Sequence, residues 1–238
     1  MRIVLDVENS ITWRENAKGK PVIFNDPYEK DNSLTQVGMV NADNTDELHI
    51  INLDHNEEKD MDGSGRDFIQ AILDKTSLLI CHNNKHDMMW LWECGFKYDG
   101  DIYDTMLSEY LLDKGQRNPV GLAATAVRRG LSEQKEDYLS TCLKKGINTN
   151  ETDLSKLSLY LRADLLTTCE LFHQQQAEFA KPDNHSLLAV RGVTFDTCKT
   201  LTEVYMAGVA VDLDALHEVR KEFEHERATI ETRLQDKI

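Results

Sequence analysis

The sequence predicts an α/β layered domain built on a mixed sheet. Three observations carry this: β-branched apolar runs open the chain, short strands then alternate with helical patterns, and the region after residue 154 is almost wholly helical. At 238 residues the chain has room for one full domain with a smaller appendage.

The elements follow in order. Residues 2–7 form an apolar, β-branched run that ends in an acidic pair, Asp6 and Glu8, and residues 35–40 and 48–53 have the same strand character, so the three make a meander. Between them, residues 12–33 are polar and predict a long surface insertion. The acidic run 54–67 predicts a solvated connection. Phe68, Ile69, Ile72 and Leu73 recur at helical spacing within 66–75, and residues 77–81 are a short buried strand. A helix is expected from about 85 to 94, closed by Gly95, and Ile102 and Tyr103 suit another strand. Asp104 is placed to cap a helix over 105–113, and a further helix covers 120–129 before Gly130. A short helix is expected around 136–144. Residues 154–180 are strongly helical, in two pieces. A helix after Pro182 runs to about 206, and the final one carries Leu216, Val219, Phe223, Ile230 and Leu234 on one stripe. The expected division is a domain over 1–183 followed by a helical region over 184–238 that opens something larger.

Composition narrows the class. Hydrophobic residues at 40% and charged residues at 29% suit a water-soluble chain. No apolar run reaches the roughly 18 residues of a bilayer span, and Asp6 interrupts the place where a signal peptide would need an apolar core. A cytoplasmic protein without membrane contact is expected. The five cysteines are scattered and form no CxxC pair, which excludes a zinc ribbon and a disulfide framework. The net charge of −15 argues against a broad basic face for nucleic acid, yet leaves room for an enzyme whose bound metals meet the phosphate.

Three places carry chemistry. Asp6 and Glu8 lie two apart on a strand, so their carboxylates share a face. Paired anions there repel unless a cation intervenes, and an oxygen-only pair suits magnesium or manganese. Similar pairs elsewhere, such as Asp99 with Asp101 or Glu222 with Glu224, have the character of solvated surface; the first pair differs in closing an apolar strand. Second, His82-Asn-Asn-Lys-His-Asp87 follows a buried strand, which puts Asp87 in the first turn of a helix, where the helix dipole alone would favour an acid. His82 and His86 as zinc ligands are the rival reading; Asn83 stands where HExxH has glutamate, and the strand-to-helix break falls between the two rings. Third, Tyr160 and Asp164 are four apart on an amphipathic helix, and an acid near the buried seam requires a partner.

Taken in order, the set resembles the DEDDy proofreading exonucleases, and specifically the 3′–5′ exonuclease domain of family A DNA polymerases. Asp6 and Glu8 in LDVENS match the first motif; Asn83, Lys85 and Asp87 in HNNKHD match the second; Tyr160 and Asp164 in YLRAD match the third. YDTMLSEYLL, from Tyr103, matches the segment that follows the second motif. A histidine type exists with His five before the last Asp, but no histidine lies between His86 and His173, so the tyrosine type is favoured. LTEVYMAGVAVDLDALHEVRKEFE, from Leu201, resembles the passage into a polymerase domain, and the direct start at the exonuclease resembles a bacteriophage replicative polymerase. One departure stands out: His86 occupies a position where the family has Tyr or Phe.

The resemblance implies a ribonuclease H-like fold, and two divalent ions, magnesium or manganese. Asp6, Glu8 and Asp164 would hold the first, with Asp6 also reaching the second; Asp87 would act on the second, partly through water; Tyr160 would orient the attacking water. The implied partners are a single-stranded or frayed 3′ end of DNA and a polymerase domain. Two competing readings are a non-catalytic exonuclease-like scaffold or DNA-binding module, against which the complete set of acids argues, and an RNA 3′ exonuclease of the same fold, against which the polymerase-like segment argues.

Overall fold

The computed structural model describes residues 1–16, 18–131 and 138–235. In chain order they form β1 (Arg2–Asn9), β2 (Thr12–Glu15), β3 (Pro21–Phe24), β4 (Leu34–Asn41), β5 (Asn44–Asn52), α1 (Ser64–Leu73), β6 (Leu78–Cys81), α2 (Asn84–Glu93), β7 (Asp101–Asp104), α3 (Thr105–Leu112), α4 (Leu122–Arg129), α5 (Tyr138–Lys144), α6 (Leu154–Phe179), α7 (Leu187–Ala207) and α8 (Leu213–Gln235), with 3₁₀ turns at Thr149–Glu151 and Pro182–Asn184.

Five strands make one sheet in the order β5-β4-β1-β6-β7. β4 runs antiparallel to β1 on one side, and β6 runs parallel to it on the other. β4–β5 is antiparallel and β6–β7 parallel, so the sheet is mixed as expected. Central placement explains the apolar character of β1: Ile3, Val4, Leu5 and Val7 are all buried, as parallel-paired strands covered on both faces require. Each such side chain contributes roughly 1.5–3 kcal/mol relative to exposure.

The polar segment 12–33 contains a second, two-stranded sheet, β2–β3, that residue patterning did not reveal. Four-residue strands are too short to display alternation. The 154–180 region is one continuous helix of 26 residues rather than two pieces. Its stripe of Leu157, Leu161, Leu165, Phe172 and Phe179 is fully buried. The Asp104 carboxylate accepts from the N–H groups of Met106 and Leu107, capping α3 as expected. Gly130 closes α4 in the left-handed conformation. The start of the short helix expected around 136–144 lies partly outside the described residues; the described part begins at Tyr138.

The chain forms two compact units. The first, Met1–Thr202, contains the sheet, α1 to α6 and most of α7, whose Phe195 belongs to the main core. The second, Glu203–Ile238, contains the end of α7 and all of α8, which buries no residue. Cys81, Cys142 and Cys169 are buried and all five thiols are free, in line with cysteines that serve as small side chains. Among the described residues, no helix is long and apolar enough to cross a membrane.

Candidate active site

The site begins with strand register. Asp6 pairs with Gly38 and Glu8 with Gln36 across β1–β4, and the two-residue period sends the acids to one face. Helix α6 covers that face. Gln36 Nε2 donates to Ser158 Oγ at 2.9 Å, and a Cβ placed on Gly38 would lie 2.7 Å from Leu165 Cδ1 and 2.9 Å from Leu161 Cγ. Gly38 therefore leaves the space that α6 fills directly opposite Asp6. Asp164 sits in the buried stripe of α6, and ligand oxygens of Asp6, Glu8 and Asp164 all lie within 4.8 Å of one another. Glu8 is 7% and Asp164 5% exposed.

Two unit negative charges about 5 Å apart repel by roughly 3 kcal/mol at an effective dielectric of about 20. Three of them together, two taken out of water, are relieved by a shared proton or by a cation. Oxygen-only donors of this charge fit a hard divalent ion.

Asp87 extends the site. It lies in the first turn of α2, is 1% exposed, and its Oδ1 has no hydrogen-bond partner among the described residues. Burial raises its carboxyl well above the usual range; the charges of Asp6 and Asp104 add to this, and the Val7 N–H draws it back only in part. Asp87 stands outside the three-acid cluster but within the field of Asp6. A buried carboxylate with an unused oxygen beside other acids is what a cation would satisfy, so the residues present fit divalent metal.

Around the acids the two histidines are committed elsewhere. His86 Nε2 lies 3.0 Å from Asn9 Oδ1. Asn9 Nδ2 donates to the Ser10 and Asn25 carbonyls, which fixes the amide orientation and makes His86 the donor. Burial lowers the His86 pKa, which favours this neutral ring. The imidazole thus ties α2 to the end of β1, one residue past Glu8, in the place where an aromatic was expected. His82 Nδ1 meets Thr105 Oγ1 at 2.9 Å. Asn83 between them adopts a left-handed conformation with φ 78°, and the metal-ligand cluster found among the described residues, Asp6, Glu8 and Asp164, contains neither ring. Tyr160 is half-buried one turn before Asp164 in α6, and Lys85 is half-buried in α2.

Residue patterning had not singled out Asn9, Gln36, Gly38 or Asn148. For Gly38 a signal existed: a lone glycine inside the apolar strand Thr35-Gln-Val-Gly-Met-Val40 marks close approach by another element. For Asn9 and Asn148 none did, because polar partners distant in sequence leave no local pattern.

No family model matches the chain. DNA polymerase I of Chloroflexus aurantiacus is 27% identical over 157 residues, 64% of this chain; the match spans only 16% of that polymerase's length. Among solved structures, NrnC of Brucella melitensis with bound Mg²⁺ superposes with a TM-score of 0.58 at 14% identity, covering 87% of this chain and 86% of NrnC. RNase D of Escherichia coli, an exoribonuclease involved in structured RNA processing, gives 0.54 at 16% identity over 94% of this chain and 49% of its own. The POL domain of Pol1 from M. smegmatis, in complex with DNA primer-template and dNTP, gives 0.52 at 24% identity over 82% and 29%. The mixed sheet flanked by helices is the ribonuclease H-like exonuclease fold.

Proposed function

We propose that the chain is a metal-dependent 3′–5′ exonuclease that removes nucleotides from the 3′ end of DNA, and that it serves as the proofreading part of a family A DNA polymerase. The observation that carries this reading is the convergence of Asp6, Glu8 and Asp164 within 4.8 Å, beside buried Asp87. Identity to a DNA polymerase I over 157 residues favours DNA over RNA as the substrate.

In this reading Asp6, Glu8 and Asp164 would hold one divalent ion, and Asp6 and Asp87 would serve a second. Metal bound there supplies an activated water and stabilises the leaving oxygen of the phosphodiester. The chain's own contributions are positional. β1 and α6 hold the carboxylates rigidly because both are buried in the core, and the apolar stripe beside Asp164 keeps bulk water from the inner side of the acids. Tyr160 would orient the attacking water through its hydroxyl, one helical turn from Asp164. The substrate end must be single-stranded or frayed to enter.

The test is incubation of a 5′-labelled DNA single strand with magnesium, then with chelator, beside the matching RNA and the blunt duplex. A ladder shortened by single nucleotides from the 3′ end, abolished by chelator and slower on duplex, is expected. An uncut DNA strand in magnesium and in manganese would sink the reading; preferential trimming of RNA would move the chain to the RNA exonuclease reading.

A further inference from the structure

The β2–β3 hairpin interrupts the chain immediately after the acidic strand: β1 ends at Asn9 and β2 begins at Thr12. A lone two-stranded ribbon is marginal in water, so its order comes from its root. Ser10 N–H donates to the Ser33 carbonyl at 2.9 Å, and Ser33 N–H to Ser10 Oγ at 2.7 Å. Asn32 Nδ2 donates to the carbonyls of Phe24 and Asp26, each at 3.0 Å, and Asn32 Oδ1 accepts from Thr12 Oγ1 at 2.8 Å. The Asn148 side chain exchanges two bonds with the Ile11 backbone, at 2.9 and 2.8 Å. Asn148 caps the turn that leads into α6, and Asn9, which reaches the Asn25 carbonyl, is held by His86 of α2. The root is therefore fixed to β1 and α2, which bear Asp6, Glu8 and Asp87, and to the 3₁₀ turn that precedes α6, the helix of Asp164. Insertions of this length with such anchoring are commonly functional.

The free end has a distinct surface. Trp13 pairs with Ile23 in register, so both side chains occupy one face of the ribbon; Trp13 is half-exposed and Ile23 is 54% exposed. At the turn, Lys18 and Lys20 flank Gly19, whose φ of 69° closes the bend. Both lysines are exposed with no ion-pair partner among the described residues, whereas Arg14 is paired with Glu29. In a chain of net charge −15, Lys18 and Lys20 outnumber the one exposed acid of the ribbon, Glu15, so the tip beside the aromatic–aliphatic face carries a small positive excess, complementary to a polyanion. The strands are four residues long, so the lysines stand roughly 13 Å from the root at about 3.3 Å per residue.

We propose that this hairpin is a nucleic-acid-binding arm: Lys18 and Lys20 contact backbone phosphates, and the Trp13–Ile23 face receives bases of the single strand upstream of the cleaved nucleotide. Phosphates attract the lysines without regard to sequence, and bases stack on the indole equally without regard to sequence. The inference rests on the exonuclease reading above and adds to it a dependence on strand length.

The experiment compares the full chain with its Lys18→Glu/Lys20→Glu variant on two substrates: a 12-nucleotide DNA single strand, and the p-nitrophenyl ester of thymidine 5′-monophosphate, which has no upstream strand. The ratio of kcat/KM for the 12-mer to that for the ester should fall at least tenfold in the variant. The dependence of 12-mer affinity on salt, measured by anisotropy with calcium in place of magnesium, should lose a slope of about 1.4, since each phosphate contact on a single strand contributes about 0.7. Trp13→Ala should lower the same ratio with the salt slope retained. An unchanged ratio and slope in the lysine variant, with hydrolysis of both substrates intact, would overturn the arm while leaving the exonuclease reading in place and would make the face a protein contact instead. A wild-type chain that hydrolyses neither substrate would overturn both.

Discussion

Asp6, Glu8 and Asp164 repel one another as long as no cation lies between them, and that repulsion separates two kinds of residue in the site. With the acids holding metal as proposed, Asp6→Ala removes a ligand and also relieves the repulsion. Without metal the variant should therefore melt at or above the wild-type midpoint. Magnesium should raise the wild-type midpoint by mass action on the native state, and this rise should be largely lost in Asp6→Ala, together with nearly all hydrolysis. Tyr160 carries no charge to the metal: Tyr160→Phe should keep the magnesium rise and lose rate by a factor on the order of 10²–10⁴, the usual span for a group that positions or handles a proton. Melting curves with and without magnesium, beside single-turnover cleavage, check both. A normal rate in Asp6→Ala, or an undiminished magnesium rise, would contradict the assignment. The acids were legible in the sequence because a charged pair closing an apolar strand, and an acid in the seam of an amphipathic helix, violate burial patterns that are otherwise kept. His86 was legible only as a departure; its bond to Asn9 depends on a fold that brings residues 77 positions apart together.

At the scale of elements, the approach of α6 to β4 decides whether Asp164 reaches β1. Gly38 sets that approach, since a Cβ there would meet Leu165 and Leu161 below 3.0 Å. Gly38→Val should cost about 1–3 kcal/mol through overpacking and should push α6 outward, so the magnesium rise falls while far-UV dichroism stays near wild type. Gly121→Ala, where an added Cβ meets nothing within 4 Å, is the control and should keep the rise. A second junction joins α3, α4 and α6: the Glu109 carboxylate accepts from Arg128 Nη2 at 2.9 Å, Arg129 Nε at 2.8 Å and Gln175 Nε2 at 3.0 Å. Burial alone would raise the Glu109 pKa, but these donors outweigh it and the net shift is downward. A carboxyl depressed in the folded state stabilises above its unfolded pKa and loses that contribution as pH falls through the folded one. The midpoint should therefore decline below about pH 4.3, the ordinary glutamate value, and Glu109→Gln should flatten this decline while losing on the order of 3 kcal/mol at neutral pH. Midpoints from pH 3 to 7 for both proteins test it; parallel curves would remove Glu109 from the acid transition. Of the elements, the long periodic ones and the capped starts were visible in sequence, as Asp104 before α3 shows. β2 and β3 were not, because their pairing depends on the polar root and not on alternation.

At the scale of the molecule, every residue assigned to the site lies in the unit Met1–Thr202, which also holds the whole main core. The unit Glu203–Ile238 is of another kind: α8 buries nothing, and Leu216, Val219, Phe223, Ile230 and Leu234 are all more than 40% exposed. The stripe itself was legible from its helical spacing; what covers it was not, because a periodic face states only that a partner surface is wanted. Residues 208–235 are exposed throughout, so deletion of 208–238 should behave as a surface change, within about 0.5 kcal/mol. For a chain of this size that corresponds to less than about 2 °C in the thermal midpoint. The shortened chain should also keep the full magnesium rise and the wild-type rate on a short single strand, since among the described residues no proposed ligand, no part of the hairpin root and no core side chain is removed. Helical dichroism should fall by the share of α8 alone. Differential scanning calorimetry of both chains with and without magnesium makes the comparison. A midpoint lowered by more than about 5 °C, or a lost magnesium rise, would mean that α8 supports the site through the core, contrary to its exposure along its whole length.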